Sequence, residues 1–179
     1  MNVTALAIPD VKLIEPRVFG DSRGYFMETL SKREFERAGI GASFCQDNES
    51  CSCRGVLRGL HYQASPHTQA KLIRVVRGAI WDVAVDIRAG SPTFGRYAAA
   101  VLSGENKHQL FVPRGFAHGF LVLEDNTVVC YKCDAYYAPS SDRGVRFDDP
   151  AIRIEWPDLG RPPILSDKMP SFITYTLSQ

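Results

Sequence analysis

The chain has 179 residues, of which 45% are hydrophobic and 23% are charged, and its formal net charge at pH 7 is +1. These totals fit a single domain, residues 1–179, with a substantial core, and the balanced charge gives no indication of a nucleic-acid-binding surface. No apolar run approaches the roughly 20 residues of a membrane-spanning helix. The first residues lack the basic and apolar regions of a signal peptide, so we expect a cytoplasmic protein with no membrane partner.

Five cysteines are an odd number in a chain too long to need disulfide staples, which favours free thiols. Cys130 and Cys133 have the spacing of a zinc-binding pair, but they lie in a predicted strand, where residues three apart face opposite sides. Cys51 and Cys53 would share a face, yet two thiols are too sparse a pattern for a metal site. We therefore expect no metal.

The N-terminal part of the chain predicts strands and one helix. Residues 1–16 alternate weakly between apolar and polar side chains, which suits an edge strand or an arm. A turn at 20–24 carries Arg23 and leads into a short strand at 25–30, which carries Glu28. The clearest helix runs from Ser31 to Ala38, with Ser31 as the N-cap and Glu34 as its capping-box partner.

From residue 44 onward the sequence indicates strands and turns. Gln46 and Asn48 lie two apart, so an extended backbone directs both side chains to one face. Lys71 shares a face with β-branched residues, which is unusual unless the lysine is paired or lies at the mouth of a cavity. The strongest strand pattern covers 79–87, with Asp82 and Asp86 opposite the apolar row.

Further strands are predicted on both sides of residue 118 and at 127–133. His118 is flanked by small residues, where an imidazole can face a cavity, and Tyr131 lies on a largely apolar strand face. Short strands with turn signals every 8 to 12 residues, and almost no helix, predict an all-β sandwich or barrel.

The segment 55–63 places a cation, Arg58, and a base, His61, three residues apart. Alternation along a strand sends the two side chains to opposite faces, but Gly55 and Gly59 permit a bend or bulge that re-aims one of them. A histidine beside an apolar strand is most often a structural residue, so this segment alone does not establish a catalytic base.

Several reaction classes lack their motifs. The sequence has no G-x-G-x-x-G after a strand, no Walker loop, no H-E-x-x-H and no G-x-S-x-G, which disfavours nicotinamide and P-loop chemistry. The absence of an H-x-H pair disfavours a metal-dependent dioxygenase. A His, a Tyr and a Lys remain, a set that suits abstraction of a proton next to a carbonyl, with the cation stabilising the enolate and the phenol returning a proton.

The chain resembles the dTDP-4-dehydrorhamnose 3,5-epimerase family over nearly its whole length, in many motifs in the same order. The motifs are DSRGYFME (21–28), QDNES (46–50), GVLRGLHYQ (55–63), KLIRVVRG (71–78), DVAVDIR (82–88), SPTFG (91–95), PRGFAHGF (113–120), YKCDAYY (131–137), DDP (148–150) and PILSDK (163–168). The resemblance implies a cupin-type jelly roll with a few short helices, a homodimer with exchanged N-terminal segments, and an isomerase without a cofactor.

The resemblance also implies roles for individual residues. His61 corresponds to the base that removes protons at C3 and C5 of dTDP-4-dehydro-6-deoxy-D-glucose, Tyr131 to the acid that reprotonates from the opposite face, and Lys71 to the group that steadies the enolate oxygen. The remaining matched positions contact the dTDP-sugar substrate: Arg23, Glu28, Gln46, Asp47, Asn48, Arg58, His118, Tyr137, Asp142 and Lys168. Arg23 and Glu28 are expected to reach the neighbouring subunit's site.

One position departs from the family pattern. Met169 stands where the family has an aspartate that orients the catalytic histidine, and Asp167 is the candidate to replace it. Alternatives to double epimerisation therefore stay open: a C3-only or C5-only epimerase of a related dTDP-4-keto-6-deoxysugar, a ketoisomerase that shifts the carbonyl between C4 and C3, or a non-catalytic sugar-nucleotide-binding cupin.

Overall fold

The structure, a computed structural model, describes residues 1–166 and is built almost entirely from antiparallel strands. In chain order the elements are β1 (Asn2–Ala5), β2 (Lys12–Glu15), β3 (Val18–Asp21), β4 (Gly24–Met27), α1 (Lys32–Arg37), β5 (Gln46–Ser52), β6 (Leu57–Gln63), β7 (Lys71–Arg77), β8 (Ala79–Asp86), β9 (Tyr97–Ser103), β10 (Gln109–Val112), β11 (Phe116–Val122), β12 (Thr127–Cys133), a 3-10 turn (Pro139–Ser141) and β13 (Asp142–Gly144).

Two large sheets pack face to face. One has the strand order β1-β2-β10-β7-β12-β5 and the other β13-β6-β11-β8-β9. Apolar side chains from β7, β10 and β12 meet those from β8, β9 and β11 in one buried cluster between the sheets. Strands distant in sequence lie side by side in both sheets, as in a double-sheet jelly roll. The all-β, cupin-type fold predicted from the sequence is confirmed, and β1 is an edge strand as expected.

Helix α1 occupies the predicted segment but is capped differently. The Ser31 carbonyl accepts the Phe35 N–H at 2.9 Å, while the Ser31 side chain makes no capping hydrogen bond, so the capping-box prediction was wrong. Burial of Phe35 against Ile14 and Phe111 holds the helix in place instead, because a two-turn helix depends on packing. Within residues 1–166 no helix is long and apolar enough to span a membrane.

Strands β3 and β4 form a separate hairpin that leaves its aromatic side chains uncovered. Phe26 is 70% exposed, and Phe19 and Tyr25 are about half exposed. The turn of the hairpin carries Arg23, whose guanidinium pairs with Asp21 at 2.6 Å. The sequence predicted only the second strand, which ends at Met27 rather than at residue 30.

The connection between β8 and β9 is organised by one buried carboxylate. Asp86 accepts hydrogen bonds from the backbone and guanidinium of Arg88 and from the hydroxyls of Ser91 and Thr93 at 2.6 to 3.0 Å. Burial alone would raise the pKa of Asp86, but these hydrogen bonds outweigh it and hold the pKa well below its usual range. We call these four residues the turn cluster.

Candidate active site

A cavity of about 470 Å³ opens between the two sheets and is lined by side chains from both of them. It brings together nine of the twelve predicted site residues that lie within residues 1–166. These are His61, Arg58 and His118 from β6 and β11, Lys71 and Tyr131 from β7 and β12, Gln46 and Asn48 from β5, Tyr137 from the loop after β12, and Asp142 from the start of β13.

A bulge in β6 allows Arg58 and His61 to line the same cavity. The pairing of β6 with β11 shifts register at this point, and Gly59 has a φ of +115°. A Cβ at Gly59 would lie 2.5 Å from the Gly119 Cα, so only glycine permits this approach of the two strands. The predicted re-aiming of one side chain at Gly59 is confirmed.

His118 lies directly opposite His61 across the β6–β11 pair and is held by a buried carboxylate. Its Nε2 is 2.6 Å from Oδ1 of Asp82, which is completely buried on β8. The second oxygen of Asp82 has no hydrogen-bond partner within residues 1–166. The sequence placed Asp82 opposite the apolar row of β8 but gave no signal of its histidine partner, because the contact depends on the strand register.

Lys71 and Tyr131 form the opposite wall of the cavity, on the other sheet. Cys133 pairs with Lys71 and Tyr131 pairs with Ile73, so the lysine and the phenol are diagonal neighbours on one face. Burial lowers the pKa of the Lys71 ammonium, and neighbouring acidic groups reverse only part of that change. Burial also raises the pKa of the Tyr131 phenol, which keeps it protonated near neutral pH.

Tyr137 stands at the mouth of the cavity, where three side chains fix its loop. Gln46 accepts the Tyr137 N–H at 3.0 Å, and the Tyr137 hydroxyl donates to Asp142 at 3.2 Å. Gln63, which is buried, accepts the Ala138 N–H at 2.6 Å and donates to the Tyr136 carbonyl at 3.3 Å. No local pattern points to this role of Gln63, because its two partners in the loop lie more than 70 residues away.

Three predicted residues lie away from this cavity. Arg23 and Glu28 are exposed at the β3–β4 hairpin and just after it. Asp47 points to the outer face of β5, where it pairs with Lys132. Lys168 and the proposed histidine orienter Asp167, together with Met169, lie outside the described residues. Within residues 1–166 no three His, Cys, Asp or Glu side chains are grouped closely enough to hold a metal ion.

The arrangement provides acid–base chemistry on two sides of one cavity. His61 projects from the five-stranded sheet, whereas the Tyr131 phenol and the Lys71 ammonium project from the six-stranded sheet. A base on one wall and a proton donor on the other allow a carbon between them to lose a proton from one face and gain one on the other. Arg58 and His118 supply positive charge or hydrogen-bond donors for an anionic group of the same ligand.

The comparisons with known proteins agree with this geometry. The family model described as dTDP-4-dehydrorhamnose 3,5-epimerase matches residues 5–174. A relative of that name from Shigella flexneri is 53% identical over 169 residues, which are 94% of this chain and 92% of the relative.

Two solved structures are also similar. The dTDP-6-deoxy-D-glucose-3,5-epimerase from Legionella pneumophila, in complex with dTDP-4-keto-L-rhamnose, has a TM-score of 0.91 and 48% identity, over 96% of this chain and 90% of that one. A 3'-monoepimerase from Streptomyces bikiniensis, in complex with dTDP-quinovose, has a TM-score of 0.88 and 37% identity, over 95% of this chain and 86% of that one.

Proposed function

This chain belongs to the dTDP-4-dehydrorhamnose 3,5-epimerase family, and we propose that it converts dTDP-4-dehydro-6-deoxy-D-glucose to dTDP-4-dehydro-L-rhamnose by inverting C3 and C5. The observation that carries the proposal is the placement of His61 and Tyr131 on opposite walls of one cavity. Identity of 53% to a named 3,5-epimerase, against 37% to a named monoepimerase, supports inversion at both carbons.

Each inversion consists of two proton transfers. His61 takes the proton from the carbon next to the C4 carbonyl, and the electron pair of the broken C–H bond moves into an enolate. The Lys71 ammonium stabilises the negative enolate oxygen, because a cation in a water-poor site interacts strongly with developing charge. Tyr131 then donates its proton to the opposite face of the carbon. Exchange with solvent restores the proton of Tyr131 and removes that of His61, and the sequence repeats at the second carbon.

Other cavity residues are assigned to binding. Arg58 and His118 would hold the diphosphate. The guanidinium donates to phosphate oxygens, and the His118 ring, whose Nε2–H is held by Asp82, donates from Nδ1 when it carries both protons. The Tyr137 ring at the mouth would stack on thymine, and Gln46, Asn48 and Asp142 would hold the remaining polar groups of the substrate. The reaction needs no cofactor, because every step is a proton transfer.

We also propose a homodimer in which the N-terminal hairpin of each subunit reaches the other subunit's cavity. The exposed aromatic side chains of β3 and β4 support a partner surface there, since a monomer rarely leaves several large apolar residues uncovered together. Arg23 and Glu28 would then complete the partner's site rather than their own. Five free thiols support a reducing compartment, which we take to be the cytoplasm.

The decisive experiment follows solvent deuterium. Enzyme and dTDP-4-dehydro-6-deoxy-D-glucose are incubated in D₂O, and NMR records the label at C3 and C5 and the position of the carbonyl. We expect deuterium at both carbons and the L-rhamno configuration in the product. No uptake at either carbon would overturn the proposal; label at one carbon would indicate a monoepimerase, and a carbonyl at C3 a ketoisomerase.

Two variants separate the roles of base and acid. His61→Asn should lower turnover by about 100- to 10,000-fold and abolish deuterium uptake, because the general base is lost. Tyr131→Phe should reduce product formation by about 100-fold or more while deuterium still enters recovered substrate, because His61 can return a solvent-derived proton to its own face. Normal turnover in both variants would instead favour a non-catalytic binding protein.

A further inference from the structure

Strand β5 directs a row of four polar side chains towards the interior. Gln46, Asn48, Ser50 and Ser52 are half-buried, and the residues between them are exposed. Gln46 donates to Asn48 at 2.9 Å, and Asn48 contacts the Cys133 thiol at 3.8 Å. Ser52 accepts a hydrogen bond from Nε of Arg58 at 3.1 Å. Three members of the row therefore have partners within the protein.

Ser50 is the exception in this row. Its Oγ is shielded from solvent and has no hydrogen-bond partner within residues 1–166, although the residue lines the cavity. A buried hydroxyl without a partner destabilises a folded protein, so such groups are uncommon unless they serve a function. Because Ser50 lines the cavity, rotation of its side chain about the Cα–Cβ bond would turn the hydroxyl towards a bound ligand, which would supply the missing partner.

Ser52, the next residue of the row, indicates through its contact with Arg58 that the ligand is an anion. Ser50 and Ser52 point the same way and are separated by two residues of strand, about 6.6 Å. Ser52 does not line the cavity itself, but its hydroxyl accepts a hydrogen bond from Nε of Arg58, which does line it. The terminal guanidinium nitrogens form no hydrogen bond within residues 1–166, which leaves them free to bind an anion. An anion bound by Arg58 would therefore lie within reach of the Ser50 hydroxyl.

We propose that the Ser50 hydroxyl donates a hydrogen bond to a phosphate oxygen of the nucleoside diphosphate bound by Arg58, and that Ser52 is the positioning residue that fixes the Arg58 guanidinium. This inference rests on the proposed function, because it takes the diphosphate of the substrate as the anion. It adds two residues to the binding site and gives them different tasks: Ser50 touches the ligand, whereas Ser52 acts through Arg58.

The test of Ser50 uses two probes, dTDP and thymidine, with Ser50→Ala. We expect the Kd for dTDP to rise about tenfold by calorimetry, the loss of one hydrogen bond to a charged group. Thymidine binding, followed by ligand-observed NMR, should stay within about twofold. The Tm of the ligand-free variant should rise by about 2–4 °C, because a buried hydroxyl without a partner has been removed.

Each of these measurements can contradict the assignment of Ser50. Unchanged affinity for dTDP would show that the hydroxyl does not touch the diphosphate. Equal weakening of dTDP and thymidine would indicate general distortion of the cavity. A lower Tm would show that the Ser50 hydroxyl has a partner within the protein. Any one of these results would overturn the assignment.

The test of Ser52 uses its coupling to Arg58. Ser52→Ala should weaken dTDP binding about three- to tenfold in the wild-type background and have no effect in an Arg58→Ala background, because its role runs through the guanidinium. Ser52→Thr, which keeps the hydroxyl, should restore most of the affinity. An equal loss in both backgrounds, or no rescue by threonine, would show that Ser52 is not a positioning residue for Arg58.

A matched control lies on the same strand. Cys51 is exposed on the outer face of β5, so Cys51→Ala should leave dTDP affinity and Tm unchanged. Wild-type binding separates the two proposals. If wild type binds dTDP and epimerises the sugar but Ser50→Ala binds equally well, only the serine assignment fails. If wild type neither binds dTDP nor catalyses exchange, the proposed function fails, and the serine assignment fails with it.

Discussion

Within residues 1–166, the turn cluster and the cavity both withdraw polar side chains from solvent, but they differ in how many of those polar groups have hydrogen-bond partners in the protein. In the turn cluster, both oxygens of the Asp86 carboxylate are occupied by donors from the same short turn. In the cavity, Ser50 Oγ and one oxygen of Asp82 have no hydrogen-bond partner within residues 1–166. Nor does any side chain in that range form a hydrogen bond or ion pair with the Lys71 ammonium.

This difference separates a structural role from a binding role. A polar group with protein partners stabilises the fold, and removing it leaves those partners unsatisfied. A polar group whose partner is a ligand destabilises the ligand-free fold, and removing it relieves that cost. The two regions should therefore respond to equivalent substitutions with opposite changes in stability, and only the cavity should lose function directly.

The largest expected effect on stability is in the turn cluster. Asp86→Ala removes the acceptor for five hydrogen bonds and leaves Arg88 with its weaker contacts to Asp10, the Ser91 hydroxyl and the Phe116 ring. We expect a loss of about 3–5 kcal/mol in the free energy of unfolding, as for other broken buried ion pairs. Urea denaturation at fixed protein concentration measures this loss of unfolding free energy. Asp148→Asn, in a half-exposed pair with Arg146, is the control and should change stability by less than about 1 kcal/mol.

The same carboxylate predicts a pH dependence. The pKa of Asp86 is lower in the folded than in the unfolded protein, so the unfolded state binds more protons and stability falls as the pH falls. This contribution is complete above about pH 5 and disappears as the pH drops below the ordinary aspartate pKa of about 3.9. The stability difference between wild type and Asp86→Ala should therefore narrow between pH 5 and pH 2, and a constant difference would contradict the assignment.

The next effect is in the cavity, where the change in stability should have the opposite sign. Lys71→Met keeps the length of the side chain and removes a charge that burial disfavours, so the ligand-free Tm should rise. Turnover should fall by about 100- to 1,000-fold, because the enolate oxygen loses its cation. A lower Tm would show that the ammonium is already satisfied within the protein, and the contrast between the two regions would fail.

The lysine also has a distinct pH signature. Because the pKa of Lys71 is lowered in the folded state, its destabilising effect is complete below that lowered pKa and disappears as the pH rises towards the ordinary value of 10.5. The stability advantage of Lys71→Met should thus be present at pH 7 and shrink through the alkaline range. Thermal unfolding between pH 7 and pH 10.5 measures this change, with Lys132→Met on the outer face as the control.

The sequence predicted the fold and most of the cavity because both depend on local patterns. Strand alternation places Gln46 and Asn48 together, and Gly59 marks the bulge that brings Arg58 beside His61. The residue roles came from the resemblance, since alternation does not tell a base from a structural histidine. What the sequence missed depends on register between distant strands. Nothing local pairs Asp82 with His118, or shows that Ser50 alone lacks a partner in its row.

The smallest expected changes in stability come from removing a single hydroxyl from each region, that of Thr93 in the turn cluster and that of Ser50 in the cavity. These two variants compare the regions most directly. Thr93 donates to Asp86 at 2.6 Å, and Thr93→Val replaces this hydroxyl by a methyl group of similar size. Arg88 and Ser91 still occupy the same carboxylate oxygen, so we expect a loss of only about 1–2 kcal/mol. Ser50→Ala should stabilise the ligand-free protein instead. Urea denaturation of both variants without ligand should give changes of opposite sign, and equal losses would show that Ser50 is satisfied by the protein as Thr93 is.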